Sequence, residues 1–385
     1  MELFMYGDAR LLAGASGINS VSRECYNLAP VMSDGNGHTT EMLEANYPCK
    51  ITYVSHGLSA AQMMGEKIHH GKSGYHATPV YNKFMIDGQW PTAGIELETI
   101  AAHYNRDLVD KMCNDLKANW FHFERDGSLD DAHNGEFGYE LITEPLPPRV
   151  YRNPNTWIAL ENLIAPWLES YDHPDTGLHV HVGLNQFQSF DNIPIRNPTS
   201  RMYIGKMMSA IVYFAVVDPS FIDRVVLRNN TRYCQTPDDR FVYEGTAKLA
   251  SGGMTGWEFI DLAIGKLVKL DRSRFLNCAE NLEHNFATYG TDGFCQVNMS
   301  SMTGHGTEVN TSHAYTIEFR RAKGTIHSLS IHRIVELMTM IVRYAGKVCR
   351  NPDDIVSAKS FYQFVHDNTT SEPLRKLIEK ATSDK

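Results

Sequence analysis

Several segments of this chain alternate ionisable and apolar side chains, and this alternation limits the fold more than any other feature. The segment AGIELETI (93–100) carries two glutamates two positions apart, and TGLHVHVG (176–183) carries two histidines at the same spacing. Side chains two apart in a β-strand point to the same face. Strands of a parallel α/β sheet are buried on both faces and read as continuous apolar runs. The alternation therefore predicts an α+β protein with an antiparallel sheet, one face on helices and the other open.

The remaining periodicities predict the order of the elements. Further strands are expected at 138–148, 294–301 and 315–322. Helical spacing of apolar residues predicts helices at 103–119, 156–170, 201–217 and 257–287. A later amphipathic helix has an apolar stripe made of Ile331, Ile334, Val335, Met338, Ile341, Val342 and Ala345. These elements predict a regular domain at 91–350, preceded by an extension of unknown role at 1–90 and followed by a helical cap at 351–385.

The composition argues against several classes of protein. With 42% hydrophobic and 21% charged residues, the 385-residue chain is typical of a globular protein. The 45 acidic residues outnumber the 36 basic ones, and no long run of Lys and Arg provides a nucleic-acid-binding surface. The longest apolar run, AIVYFAVV (210–217), is too short to span a membrane, and the N-terminus lacks a signal-peptide pattern. Seven cysteines without a CxxC pair indicate reduced thiols, so we expect a cytoplasmic protein.

Four of the predicted strands each place ionisable side chains on one face. The residues are Glu96 and Glu98, then Glu140, then His179 and His181, and finally Glu318 and Arg320. Two carboxylates about 6.6 Å apart on a strand repel by about 2.5 kcal/mol at an effective dielectric near 20. Any one of these strands is also compatible with a solvated sheet face. Together, many carboxylates with an occasional imidazole favour a Mg²⁺ or Mn²⁺ site over a zinc site.

Six short segments, in this order, give the chain a resemblance to a known family. They are GIELE (94–98), DGSL (126–129), ELIT-P (140–145), TGLHVHVG (176–183), VNM (297–299) and TIEFRRAKGT (316–325). In this order they resemble the amidoligase family, which are carboxylate–amine ligases with a glutamine synthetase-like fold. The resemblance covers about residues 93–345. It implies a catalytic domain with a curved antiparallel sheet, helices on its outer face, and ATP-dependent amide formation through an acyl phosphate.

The resemblance also implies roles for individual residues. The Mg²⁺ ligands of the amidoligase family correspond to Glu96, Glu98, Glu140, His179 and Glu318. His181 corresponds to a second histidine that contacts ATP or metal, and Arg320 to an arginine that neutralises the transferring phosphate. The substrate contacts correspond to Asp126, Ser128 and Asn298, and the Asp126 carboxylate is a candidate general base for the attacking amine.

The sequence departs from the family pattern at two positions. Gly293 stands where the family often has an arginine, and Arg228 or Arg232 could supply that positive charge to a nucleotide phosphate. Glu144 stands where the family usually has proline, so it is not included among the expected metal ligands.

Two other functions remain open from the sequence. An HxH pair also ends a strand in metal-dependent amidohydrolases, although there it stands early and parallel βα units follow. A non-catalytic nucleotide-binding relative would explain the missing family arginine. For the ligase, the expected partners are ATP, a small-molecule or peptide carboxylate and an amine, with no membrane; a homo-oligomer stays open.

Overall fold

A computed structural model describes the protein in separate stretches of the chain. The described residues are 90–101, 121–131, 136–143, 146–170, 176–184, 186–187, 190, 198–227, 249, 252–270, 297–298 and 316–383. The predicted extension at 1–90 lies outside these residues except for Trp90. The predicted helix at 103–119, and Glu144, Arg228, Arg232 and Gly293, also lie outside them. The domain boundaries predicted near 90 and 350 stay predictions.

The described residues belong to two compact units. The first consists of the described parts of Thr92–His179 and Lys323–His332. The second consists of Trp90 and Pro91 with the described parts of Val180–Ala322 and Arg333–Lys385.

The first unit is built on β-strands with two short helices after them. Its elements are β1 Ala93–Ile100, β2 Phe121–Asp131, β3 Glu136–Thr143, α1 Pro148–Tyr151, α2 Pro154–Ile164 and the start of β4 Gly177–Gly183. The strands lie in the order β2-β3-β1-β4. Strand β3 pairs antiparallel with both β1 and β2.

Strand β1 occupies the residues that the alternation predicted. Ile95 and Leu97 are 1% and 0% exposed, whereas Glu96 and Glu98, which alternate with them, are half-buried. Backbone pairs tie both ends of the strand, Ala93 to Leu146 and Ile100 to Glu169. The buried residues provide the hydrophobic stabilisation of the strand, and the glutamates lie on its other face.

The helices of the first unit follow local capping rules, and two elements end earlier than their predicted ranges. The strand predicted at 138–148 ends at Thr143, and α1 begins at Pro148, because proline cannot donate to a sheet ladder but is favourable in a first helical turn. Helix α2 starts at Pro154 after Asn153, whose side chain accepts the Asn155 N–H at 3.0 Å. It ends at Ile164, before the predicted end at residue 170.

The second unit is mainly helical. Its elements are α3 Pro198–Ile211, a π-helical turn at Val212–Val216, α4 Pro219–Val226, β5 Met254–Thr255, α5 Gly256–Leu270, β6 Val297–Asn298, β7 Thr316–Lys323, α6 Ser328–Arg350, β8 Ile355–Val356, α7 Ala358–Asn368 and α8 Glu372–Ser383. Strand β7 lies between β4 and β6 in the strand order, and both β6–β7 and β5–β8 are antiparallel. Strand β2 and helix α4 were not predicted as elements, and the predicted cap contains two helices.

Helix α6 carries the apolar stripe that the sequence predicted, and this stripe is buried. All seven stripe residues named above are at most 1% exposed. The helix is also buried outside this stripe, since Leu337, Met340 and Tyr344 are at most 1% exposed. The stripe prediction is therefore confirmed, but the helix is more central than an amphipathic surface helix.

The described part of the protein thus mixes α-helices with antiparallel strands, which confirms the predicted fold class at that level. The curvature of the sheet and the side on which helices cover it stay predictions. Among the described helices, none has the length together with the apolar character that crossing a bilayer would require.

Candidate metal-binding site

Three predicted metal ligands come together in the first unit. Glu98 of β1, Glu140 of β3 and His179 of β4 each offer one ligand atom, and these atoms all lie within 4.8 Å of one another. The Glu98 side chain is 15% exposed and that of His179 is 6% exposed. The cluster is therefore largely shielded from water, and an unbalanced negative charge there is costly.

Sheet register explains why two of these carboxylates meet. Glu98 lies directly opposite Glu140 in the antiparallel pairing of β1 with β3. Residues paired in this way have Cβ atoms about 4.5–5.5 Å apart, and like charges in such a pair are destabilising. A divalent cation would remove this repulsion because each carboxylate could bind it.

His179 is oriented by the other glutamate of β1. Its Nδ1 lies 3.2 Å from Oε2 of Glu96, and its Nε2 lies 3.7 Å from Oε1 of Glu98. In the tautomer that places the proton on Nδ1, His179 donates to Glu96 and directs the Nε2 lone pair toward Glu98. In many metal sites, a carboxylate orients a metal-binding imidazole by accepting a hydrogen bond from its other ring nitrogen. Within this unit Glu96 occupies such a position, and its predicted role as a metal ligand stays a prediction.

Backbone contacts hold Glu98 in place. The N–H of Gly177, the first residue of β4, donates to Oε2 of Glu98. The Ser170 hydroxyl donates to the Glu98 carbonyl at 2.7 Å, and the Thr176 hydroxyl donates to the Ser170 carbonyl. The residues that lead into β4 therefore contact both the side chain and the backbone of Glu98.

The donor set fits a hard divalent cation. In a six-coordinate magnesium site with bonds of 2.0–2.1 Å, opposite ligands lie about 4.2 Å apart, so donors within 4.8 Å need only small side-chain adjustments. Two carboxylates and one imidazole suit Mg²⁺ or Mn²⁺. Zinc sites more often contain additional histidines or cysteines. The cluster is therefore consistent with the predicted metal.

The second unit contains further predicted site residues, among them Glu318, Arg320 and His181. Glu318 of β7 is 3% exposed, and its Oε1 accepts a hydrogen bond from Nη1 of Arg320 at 2.6 Å. Nε2 of His181 lies 4.0 Å from the same oxygen. Because Arg320 already contacts Oε1, metal binding by Glu318 would share that oxygen, use Oε2, or require Arg320 to move.

For the remaining predicted residues, the pairing of the strands gives the backbone position. Asp126 of β2 pairs with Gly138 of β3, and Ser128 lies where the register shifts between Asp126 and Asp131. Asn298 of β6 pairs with Glu318. The roles predicted for these residues stay predictions, as does the role of Arg228.

The register also identifies an acidic position that the sequence reasoning missed. Glu124 of β2 lies opposite Glu140, so acidic residues occupy matched positions on three adjacent strands. The signal was present in FHFE (121–124), where Phe121 and Phe123 are buried at alternate positions. Only the following segment, DGSL (126–129), was assigned, and only as a motif, so the strand and its register were not predicted.

Gly324 lies close to Ser170 and Thr176, which take part in the contacts around Glu98, and this gives a testable prediction. A Cβ added at Gly324 would lie 2.7 Å from Oγ1 of Thr176 and would also meet the Ser170 hydroxyl. We expect Gly324→Ala to displace these hydroxyls and weaken Mn²⁺ binding about tenfold, as measured by calorimetry.

Gly265→Ala is the matched control for this substitution. Nothing lies within 4 Å of a Cβ at Gly265 of α5, so this change should preserve Mn²⁺ affinity. Wild-type affinity in Gly324→Ala would show that the close packing at Gly324 does not position the cluster.

Comparisons with known proteins do not assign this chain to a family. No protein-family model matches the sequence. No curated protein matches it either. A solved structure described as a novel glutamine synthase homolog is similar at 9% sequence identity and a TM-score of 0.32, covering 77% of this chain. The chain spans 64% of the length of that structure. A similarity at this level is too small to assign a fold family or an activity.

Proposed function

We propose that this protein is an ATP-dependent ligase that joins a carboxylate to an amine and forms an amide. The observation that carries the proposal is the cluster of Glu98, Glu140 and His179, with its ligand atoms within 4.8 Å of one another. The order of the six motifs, which resembles the amidoligase family, supports ATP and amide formation rather than another metal-dependent reaction.

The chemistry explains why ATP is required. A carboxylate is a poor electrophile at neutral pH because its negative charge repels nucleophiles and oxide is a poor leaving group. In the proposed reaction, a carboxylate oxygen bonds to the γ-phosphorus of ATP and the bond to ADP breaks. The amine nitrogen then attacks the carbonyl carbon, and inorganic phosphate leaves. The amine loses one proton in this step.

In the proposal, the cluster binds the cation that accompanies ATP. Glu98, Glu140 and His179 supply ligands, and Glu96 orients the imidazole through the contact at 3.2 Å. Bound Mg²⁺ would supply positive charge to the phosphate oxygens. Mn²⁺ is an alternative ion with similar ligand preferences.

Other residues would orient the substrates and move the proton. Arg320 would stabilise charge on the transferring phosphoryl group, with its guanidinium held by Glu318 at 2.6 Å. His181 and Arg228 would contact ATP. Asp126 would accept the proton of the amine, and Ser128 and Asn298 would contact the substrates.

An assay that traps the acyl phosphate tests this function. The protein is incubated with ATP, Mg²⁺, pools of carboxylic acids and hydroxylamine, and both phosphate and hydroxamate are measured. We expect phosphate release that depends on the acid, with one hydroxamate formed for each phosphate. Omitting ATP or adding EDTA should stop both products.

The same assay separates the two alternative functions. A metal-dependent hydrolase would cleave amides in pools of amide substrates without ATP, since a metal site of this kind can also activate water. A non-catalytic relative would bind ATP and release no phosphate with any acid pool. Either of these results would contradict the ligase proposal.

A further inference from the structure

A cationic cavity in the second unit lies apart from the residues assigned to the proposed reaction. It has a volume of about 650 Å³ and lies between helices α6 and α7. Its lining includes Arg343, Lys347, Arg350, Asn351, Ser360 and Gln363. Cavities of about 300–1,000 Å³ are the usual size for small-molecule sites.

The three cations share one face of α6. Arg343, Lys347 and Arg350 stand at positions i, i+4 and i+7, which a helical repeat of 3.6 residues places on the same side. Arg343 and Arg350 are separated by about 10 Å along the helix axis. A ligand that contacts both ends of this row therefore needs anionic groups at more than one position.

Arg343 is held in a fixed orientation by aromatic rings. Its guanidinium carbon lies 3.4 Å from the centre of the Trp90 ring and 5.3 Å from that of Phe364. Its Nη1 donates to Oδ1 of Asn368 at 3.0 Å, and the residue is only 6% exposed. This packing removes side-chain freedom before any ligand arrives, which lowers the entropic cost of binding.

Arg350 is partly buried beside the Phe190 ring, whose centre lies 5.5 Å from its guanidinium carbon. In the described part of the chain, no carboxylate lies within ion-pair distance of Arg350. Burial lowers the pKa of its guanidinium because the charged form loses solvation. An anion bound next to Arg350 would compensate for that lost solvation.

Basic side chains outnumber acidic ones in the lining of the cavity. Asp367 is the acidic residue in the lining, and its Oδ1 accepts a hydrogen bond from Gln363 at 2.8 Å. Lys347 forms an ion pair with Asp354 at 2.8 Å, outside the lining. The lining itself therefore contains three basic side chains and one acidic side chain.

We propose that this cavity binds a small molecule that carries two or more anionic groups, phosphates or carboxylates. The neutral side chains of Asn351, Ser360 and Gln363 provide further hydrogen-bonding groups in the lining. The site is distinct from the candidate metal cluster, whose residues do not line the cavity.

Binding measurements with defined probes test this proposal. Calorimetry at low ionic strength is carried out with pyrophosphate, fructose 1,6-bisphosphate and citrate, in EDTA so that metal-dependent phosphate binding is excluded. We expect at least one probe to bind with a Kd below about 1 mM. Binding of the phosphorylated probes alone would identify phosphate as the recognised group, and binding of citrate alone would identify carboxylate.

Variants that remove a positive charge from the lining test whether the probe binds in this cavity. Arg350→Gln and Lys347→Gln should each weaken binding of the bound probe about tenfold, because each removes a charge-assisted contact. Lys359→Gln is the matched control, since Lys359 is exposed on α7 and does not line the cavity. Its affinity should stay within about twofold of wild type.

Two results would overturn the proposal. One is that none of the three probes binds to the wild-type protein. The other is that a probe binds equally well to wild type, Arg350→Gln and Lys347→Gln. Thermal unfolding without ligand shows whether Arg350→Gln is folded, and Lys347→Gln removes a side chain that is 33% exposed and thus tolerates replacement.

Discussion

Replacing Glu98 by glutamine is expected to reduce Mn²⁺ affinity at least about 100-fold and to stop acid-dependent phosphate release. The substitution removes one of two carboxylates that face each other across β1 and β3. It preserves the size of the side chain, and the amide oxygen can still accept the N–H of Gly177. The variant should therefore fold, and its loss of function should come from the missing charge. Calorimetry with Mn²⁺ and the hydroxamate assay measure the two effects.

Glu169→Gln is the matched control for Glu98→Gln. Glu169 belongs to the same unit, its side chain is exposed, and its backbone pairs with Ile100. The control should bind Mn²⁺ and turn over as the wild type does. If Glu98→Gln kept both the affinity and the turnover of wild type, the cluster would have no role in metal binding. If it lost Mn²⁺ binding but kept turnover, the metal site would stand, but the proposed role of that site in the reaction would be excluded.

Replacing Glu336 by alanine is expected to lower the free energy of unfolding by about 3 kcal/mol or more. Glu336 is 0% exposed in α6, and its carboxylate accepts three hydrogen bonds from the segment between α7 and α8. Oε2 accepts from the Thr369 hydroxyl and the Thr370 N–H, both at 2.9 Å, and Oε1 accepts from the Thr370 hydroxyl at 3.2 Å. Alanine would leave these donors without their acceptor and create a cavity. Denaturant unfolding measures the loss.

Hydrogen exchange tests whether the loss of stability comes from the hydrogen bond between the Thr370 N–H and the Glu336 carboxylate. The Thr370 amide should exchange much faster in Glu336→Ala, because its acceptor is the deleted carboxylate. Glu379→Ala is the control, since that glutamate is 56% exposed in α8 and its ion pair with His366 is a surface contact. The control should change stability by less than about 1 kcal/mol. An equal, small loss in both variants would show that Glu336 does not anchor the C-terminal helices.

Some of these features could be predicted because they depend on neighbours along the chain. The spacing of Glu96 and Glu98 predicted their shared face, since side-chain direction alternates in every β-strand. The apolar stripe of α6 predicted a buried helix for a similar reason. The Asp126, Ser128 and Asn298 assignments came instead from the resemblance to a family and still need experiments.

Other features depend on residues far apart in the chain. Glu336 stands in the middle of a helix, and only packing against Thr369 and Thr370 makes it a buried anchor. Strand β2 was missed because its alternation is short and DGS within it also fits a turn. The orienting contact of Glu96 with His179 likewise joins two separate strands.

By itself the sequence determined which residues alternate, several of the segments that form strands and helices, and which side chains could bind a divalent cation. Backbone geometry repeats every two residues in a strand and every 3.6 in a helix, so these properties are local. Only the tertiary structure decided that Glu98 faces Glu140, that Glu124 shares their register, and that the cations of α6 line a cavity. A shift of one residue would turn every side chain of a strand to the other face, and that register is set by packing between distant segments.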